Sequence, residues 1–187
     1  SNFISTIKDR GGFIALGLLG LNSFVAIFDI IFKIIMVLNI LPQIISTSYF
    51  PKISKTKSRK LLSESFRVNI AYSFFSLPFL FLLQFLSNKF FGDIFLASSL
   101  MIFTIFFCCL FYSLSVNIAK NIIIVSDKTD ILIKSAIASS LIYLSTLFIF
   151  YHQNFDIYSA VLLLMIAYFV ELSVRLIYVI RYKLYNI

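Results

Sequence analysis

Residues 94–118 read IFLASSLMIFTIFFCCLFYSLSVNI, a run of 25 residues without a charged side chain. A helix needs about 20 apolar residues to cross the hydrocarbon core of a bilayer, so this run predicts a membrane span. Three further runs of comparable length and apolarity lie at residues 69–87, 131–151 and 159–180. The sequence therefore predicts an all-α fold, a polytopic bundle of transmembrane helices.

The composition supports the same class. Hydrophobic residues make up 60% of the 187 residues and charged residues only 13%, whereas soluble domains average about 45–50% and about 25%. A soluble fold of this size cannot bury so much apolar surface in one core. Soluble globular, disordered, collagen-like and disulfide-scaffold proteins are thereby excluded.

The first 50 residues admit two readings, each with two crossings. In one, residues 1–21 form a partial span, the turn lies at Gly20–Ser23, and a helix covers residues 23–50. In the other, the turn lies at residues 29–33 with a span on either side. We favour the first, because Gly20-Leu21-Asn22-Ser23 has the composition of a turn.

The predicted organisation is a single transmembrane lobe, residues 1–187, with about six helices of which the first is incomplete. The chain begins with Ser1 rather than Met, so we expect it to be a piece of a longer protein.

Basic residues are concentrated at one end of the predicted bundle. The segment 51–68 holds six basic residues and one acidic residue, and further basic residues lie in segment 119–130 and after the last span. With Lys134, just after segment 119–130, eleven basic residues fall on one side and one on the other. The positive-inside rule makes the richer side, with the C-terminus, cytoplasmic. The net charge of +8 therefore indicates membrane topology, and no nucleic-acid partner is expected.

Charges inside the spans are the candidate functional residues, because each is costly in a bilayer. Asp29 and Lys33 are four residues apart, as are Glu171 and Arg175, so each pair shares a helix face. Each pair has two readings: a neutralised pair that lowers the insertion cost, or a polar stripe facing a water-filled path. The first reading is slightly favoured for Glu171 and Arg175, which lie nearer a membrane end.

Two polar residues extend the candidate site along the helix of Asp29. Gln43 lies close to four full turns from Asp29, on about the same face, and Asn39 lies about 80° away.

Charged residues at the start of the chain also have two readings. Lys8, Asp9 and Arg10 are cytoplasmic anchors if the chain is complete, and they lie within a helix facing a cavity if it is a fragment. We favour the second reading.

Motifs of enzymes are missing. Gly11-Gly12 is not followed by the Gly-Lys-Ser/Thr of a phosphate loop, and His152 has no ligand partners at metal-binding spacing. The adjacent Cys108 and Cys109 do not have the spacing of a redox or zinc motif. We expect neither enzymatic activity nor a cofactor.

Part of the sequence resembles that of a known protein family. The stretch Gly20–Lys55 is similar to the eighth helix of Wzx-type O-antigen and capsule flippases, members of the multidrug/oligosaccharidyl-lipid/polysaccharide exporter superfamily. Leu41-Pro42 and Phe50-Pro51-Lys52-Ile53-Ser54 carry the likeness, with Lys89-Phe90-Phe91-Gly92 resembling a short turn after the ninth helix. The likeness covers essentially the whole chain, as the C-terminal half of a twelve-helix transporter.

The resemblance implies that the protein moves an undecaprenyl-diphosphate-linked oligosaccharide across the bacterial inner membrane by alternating access. It implies a missing N-terminal lobe, a coupling ion (H⁺ or Na⁺), and polysaccharide polymerase machinery as a further candidate partner. Lys8, Arg10 and Lys33 would meet the diphosphate or acidic sugars, and Asp9 or Asp29 would bind the coupling ion. A drug or metabolite exporter of the same superfamily is the alternative, and a non-functional half-transporter fragment is the third reading.

Overall fold

The computed structural model describes residues 2–91, 99–152 and 155–184, with side chains from Arg10 onward except those of residues 87, 88, 90 and 91. The regular structure of these residues is entirely helical, which confirms the predicted all-α bundle. The helices are α1 Asn2–Leu18, α2 Asn22–Thr56, α3 Arg59–Phe91, α4 Ser99–Ile118, α5 Asp130–Tyr151 and α6 Ile157–Arg181, and a π-helix at Ala119–Ile124 continues α4.

Five of these helices, α2 to α6, are long and apolar enough to cross a membrane. Helix α1 covers the 17 residues Asn2–Leu18. The protein is therefore a multi-pass membrane protein.

A glycine-ended turn joins α1 to α2. Gly20 has a φ of 72°, and its N–H donates to the Gly17 carbonyl while the N–H of Leu21 donates to that of Leu16. This is a Schellman motif, for which glycine is suited because the left-handed conformation costs it nothing. The turn lies where the first of the two readings placed it, and α2 runs without a break through residues 29–33.

The segment 51–68 is almost entirely helical. Helix α2 ends at Thr56, and α3 begins at Arg59. Between them, Lys57 adopts a left-handed conformation and its N–H donates a hydrogen bond to the Ile53 carbonyl. Hydropathy marks the part of a helix inside the membrane, whereas Lys, Arg, Leu and Glu are good helix formers in water as well. Helix α3 consequently starts ten residues before the predicted span 69–87.

The bounds of the other predicted spans lie closer to those of the observed helices. Residues 94–98 of the span 94–118 lie outside the described residues, and the helical segment continues beyond the span through the π-helix. Helices α5 and α6 begin one and two residues before the predicted spans 131–151 and 159–180.

Helices α4 and α6 form the centre of the bundle. Helix α2 packs against α1, α3 and α4, while α5 packs against α1 and α6. The core is built from aliphatic and aromatic side chains, including Phe28, Ile35, Ile105, Val161 and Leu164. Large apolar side chains also cover the outside, which suits a surface in contact with lipid.

Close packing of α1 depends on its paired glycines. A Cβ atom on Gly11 would lie 2.6 Å from Cε1 of Tyr143, whose side chain is fully buried. A Cβ on Gly12 would lie 2.9 Å from Phe28, which is also fully buried. The two glycines therefore let α1 approach α5 and α2 at a distance that no other residue permits.

Replacing Gly11 with alanine should lower the free energy of unfolding by about 1–3 kcal/mol, because the buried Tyr143 ring cannot move away. The matched control is Gly17→Ala, since a Cβ at Gly17 meets nothing within 4 Å and alanine favours a helix. Thermal unfolding of the detergent-solubilised protein measures both. A midpoint for Gly11→Ala at or above that of Gly17→Ala would contradict the packing described.

Candidate functional site

Asp29 and Lys33 form an ion pair on the exposed surface of α2. Lys33 Nζ lies 2.5 Å from Asp29 Oδ2, and the side chains are 70% and 40% exposed for Lys33 and Asp29 respectively. Counted from Asn22, the pair lies about 10–17 Å along the helix axis, within the predicted span. Charges at this depth are costly against lipid, so this face is suited to water or to another protein.

Arg10 lies on the neighbouring helix, α1. Its side chain is exposed, and its guanidinium carbon is 5.8 Å from the centre of the Phe13 ring. Phe13 in turn packs edge-on against Phe28 and Phe32 of α2. Through Phe13, Arg10 lies beside the turn of α2 that contains Phe28 and Phe32, the residues that precede Asp29 and Lys33 in the sequence. Lys8 and Asp9 belong to α1, but their side chains lie outside the described residues.

Gln43 lies between the exposed surface and the interior of the bundle. Its Nε2 donates to the Tyr112 hydroxyl of α4 over 2.5 Å, and the side chain is half-buried. Asn39 points inward and is only 1% exposed. Neither atom of its amide has a hydrogen-bond partner among the described residues. Gln43 therefore borders the face of Asp29 and Lys33, whereas Asn39 does not reach it.

The second charged pair lies inside the bundle. The Arg175 and Glu171 side chains are 9% and 14% exposed, and the guanidinium Nη2 donates to the Glu171 carboxylate. Arg175 Nη1 also donates to the backbone carbonyl of Ser115 (2.9 Å) and to its hydroxyl (2.6 Å). Its Nε donates to the Ser135 hydroxyl at 3.1 Å. Arg175 thus connects α6 to α4 and α5.

A second buried polar cluster joins α2, α3, α4 and the π-helix. The Ser65 hydroxyl accepts from Nδ2 of Asn117 at 2.9 Å and from Nδ2 of Asn121 at 3.1 Å. Asn69, one turn along α3, donates to the Ser46 hydroxyl at 3.3 Å. All five side chains are buried. Such bonds between helices are the usual role of Ser and Asn within membrane bundles.

Sequence reasoning found the two charged pairs but not the serine residues that also bind Arg175. Nothing in the spacing of Ser115 and Ser135 links them to Arg175, because they lie 60 and 40 residues away in the chain. Lys120, which the sequence placed in a cytoplasmic segment, lies in the π-helix and contacts α2. A π-helix depends on one additional residue per turn and has no clear sequence pattern.

No family model, curated protein or solved structure matches this chain. The functional assignment therefore depends on the residues described above and on the sequence resemblance.

Proposed function

We propose that this chain is one lobe of a flippase that moves an undecaprenyl-diphosphate-linked oligosaccharide across the bacterial inner membrane by ion-coupled alternating access. The observation that carries the proposal is the exposed Asp29–Lys33 ion pair within a membrane-spanning helix. These charged side chains are accessible at a depth in the membrane where contact with lipid would cost free energy.

An exposed ion pair at this depth needs water or protein beside it. Elsewhere in the described structure, the outer surface of α3 is covered by apolar side chains such as Phe75 and Phe85, which suit lipid. The α1–α2 surface differs because the charged side chains of Arg10 and Lys33 are exposed on it and that of Asp29 is partly exposed. A polar path between this lobe and a second, N-terminal lobe supplies the water that these charges need.

The chemistry of the cargo fits such a path. A sugar chain with a diphosphate cannot cross hydrocarbon unaided, because burying its polar and charged groups is too costly. Its apolar prenyl tail, in contrast, is soluble in the bilayer. Lys33, Arg10 and Lys8 would attract the diphosphate or acidic sugars through charge-assisted hydrogen bonds. Asp29 or Asp9 would bind the coupling proton or sodium ion, and rocking of the two lobes would expose the site to each side in turn.

The distribution of charge supports an orientation. The end of the bundle formed by residues 51–60 and 119–130, called the basic end below, carries exposed cationic side chains. We assign it to the cytoplasm, with the C-terminus. Cargo made in the cytoplasm would then meet the basic end first, and polysaccharide polymerase machinery would receive it on the opposite side.

The test is deletion of the chromosomal gene that encodes this chain, followed by measurement of the lipid-linked oligosaccharide pool and of surface polysaccharide. We expect the lipid-linked pool to rise in the cytoplasmic leaflet and surface polysaccharide to be lost, with both restored by the intact gene. An unchanged pool with unchanged surface polysaccharide would contradict the proposal. Sensitivity to small toxic compounds, with a normal pool, would point instead to an exporter.

A further inference from the structure

Lys120 is held against α2 by the π-helix. Its Nζ lies 2.6 Å from the Thr47 hydroxyl, which itself donates to the backbone carbonyl of Gln43. Because Thr47 uses its proton in that bond, it accepts from the lysine, and two N–H donors of the ammonium remain for another acceptor. None of the ion pairs among the described residues involves Lys120.

A groove of about 410 Å³ opens beside this lysine, near the basic end. It is lined by Ile40, Gln43, Ile44, Thr47, Ser48 and Lys120. The two isoleucines are exposed on the outer face of α2, with 51% and 56% of their surface accessible. The amide of Gln43 gives one N–H to Tyr112, and its second N–H adds a donor to those of Lys120. The groove therefore combines an apolar wall with a cluster of N–H donors.

The groove continues the exposed face that carries the Asp29–Lys33 pair. Thr47 follows Asp29 by 18 residues, or about five full turns of the helix, so the two side chains share one face. Thr47 follows Lys33 by 14 residues, which corresponds to about 21 Å along the axis. One cation thus lies near the basic end and another deeper in the membrane, on the same flank of α2.

We propose that Lys120, positioned by Thr47 and assisted by Gln43, binds the diphosphate of a prenyl-diphosphate-linked substrate as it enters from the basic end. This inference rests on the proposed function and adds to it an entry site with its own residues. The apolar wall formed by Ile40 and Ile44 accommodates the first part of the prenyl chain. Two phosphates match a group of N–H donors better than one does, because each charged oxygen gains its own donor.

The experiment measures equilibrium binding of radiolabelled geranylgeranyl diphosphate to the full chain in nanodiscs of neutral phosphatidylcholine. Lys120→Ala should weaken binding about tenfold, as expected for the loss of a charged donor. Thr47→Val should also weaken binding, since it removes the acceptor that positions the lysine without changing the charge. The matched control is Lys128→Ala, an exposed lysine in the same segment that does not line the groove, and its binding should equal that of the wild type.

Competition identifies the ligand class. Unlabelled geranylgeranyl monophosphate and phosphatidylglycerol should displace the probe much less effectively than the diphosphate does. Equal displacement by phosphatidylglycerol would overturn the proposal and make the groove a site for ordinary anionic lipid. Equal binding by Lys120→Ala and Lys128→Ala, or a wild type that does not bind the probe, would overturn the site.

Binding is measured without translocation, so the two proposals can fail separately. If Lys120→Ala loses binding but deletion of the gene leaves surface polysaccharide unchanged, the diphosphate site is supported and the flippase function is rejected. Loss of surface polysaccharide on deletion, with binding unaffected by Lys120→Ala, would reject only the entry site. Thermal unfolding of each variant identifies any loss of fold, and Thr47→Val provides a second test of the site if Lys120→Ala is unstable.

Discussion

Replacing Arg175 with methionine is expected to lower the free energy of unfolding by about 3–5 kcal/mol, because the change removes the guanidinium that pairs with the mostly buried Glu171 carboxylate and bonds to Ser115 and Ser135. The side chains of this pair are 9% and 14% exposed, so water cannot replace the lost bonds effectively. The methionine keeps most of the side-chain volume, and the effect therefore reports on charge and hydrogen bonds rather than on a cavity. Thermal unfolding in detergent is the measurement.

A double-mutant cycle separates the ion pair from general packing. Glu171→Leu combined with Arg175→Met should recover a large part of the loss, since no uncompensated charge remains inside. Lys134→Met is the matched control because Lys134 and Asp130 have the same i,i+4 spacing but side chains that are 51% and 59% exposed. We expect no measurable effect of the control. Equal midpoints for Arg175→Met and Lys134→Met would show that the buried pair does not stabilise the bundle.

Alanine at Asp29 or at Lys33 is expected to abolish translocation of the lipid-linked oligosaccharide while leaving the amount of folded protein unchanged. The reason is that the Lys33 side chain is 70% exposed and that of Asp29 is 40% exposed, so neither is part of the packed core. The proposed path, in contrast, needs a cation for the anionic cargo and a carboxylate for the coupling ion. Surface polysaccharide in cells that carry each variant in place of the wild-type gene is the measurement, with immunoblots for protein amount.

Ile30→Ala is the matched control for this second prediction. Ile30 is next to Asp29 and 45% exposed, so the variant changes the same helix surface without removing a charge. It should retain surface polysaccharide. Normal polysaccharide in both Asp29→Ala and Lys33→Ala would contradict the assignment of this face to the transport path.

The positions of most helices follow from apolar run length, because membrane crossing imposes a minimum length on each span. The turn at Gly20 could also be predicted, since glycine marks the left-handed position that ends a helix. The helical start of α3 at Arg59 could not, because hydropathy does not distinguish a charged helix from a charged loop.

The sequence did not predict which charged pair is exposed and which is buried. Asp29–Lys33 and Glu171–Arg175 have the same spacing and order, yet the first is exposed and the second is buried. Spacing defines which residues share a helix face, and only tertiary packing decides where that face points. The same limit applies to Lys120, whose contact with Thr47 depends on how α4 and α2 are packed.

The short turn at Gly20 also bears on how the protein enters the membrane during synthesis. Only Leu19, Gly20 and Leu21 separate α1 from α2, so the two helices form a hairpin. Helix α2 is long and strongly apolar, so its transfer into the bilayer supplies a driving force for insertion of the hairpin. We infer that α1 and α2 enter the membrane together as one helical hairpin, because the three-residue connection leaves no room for one helix to lie far from the other.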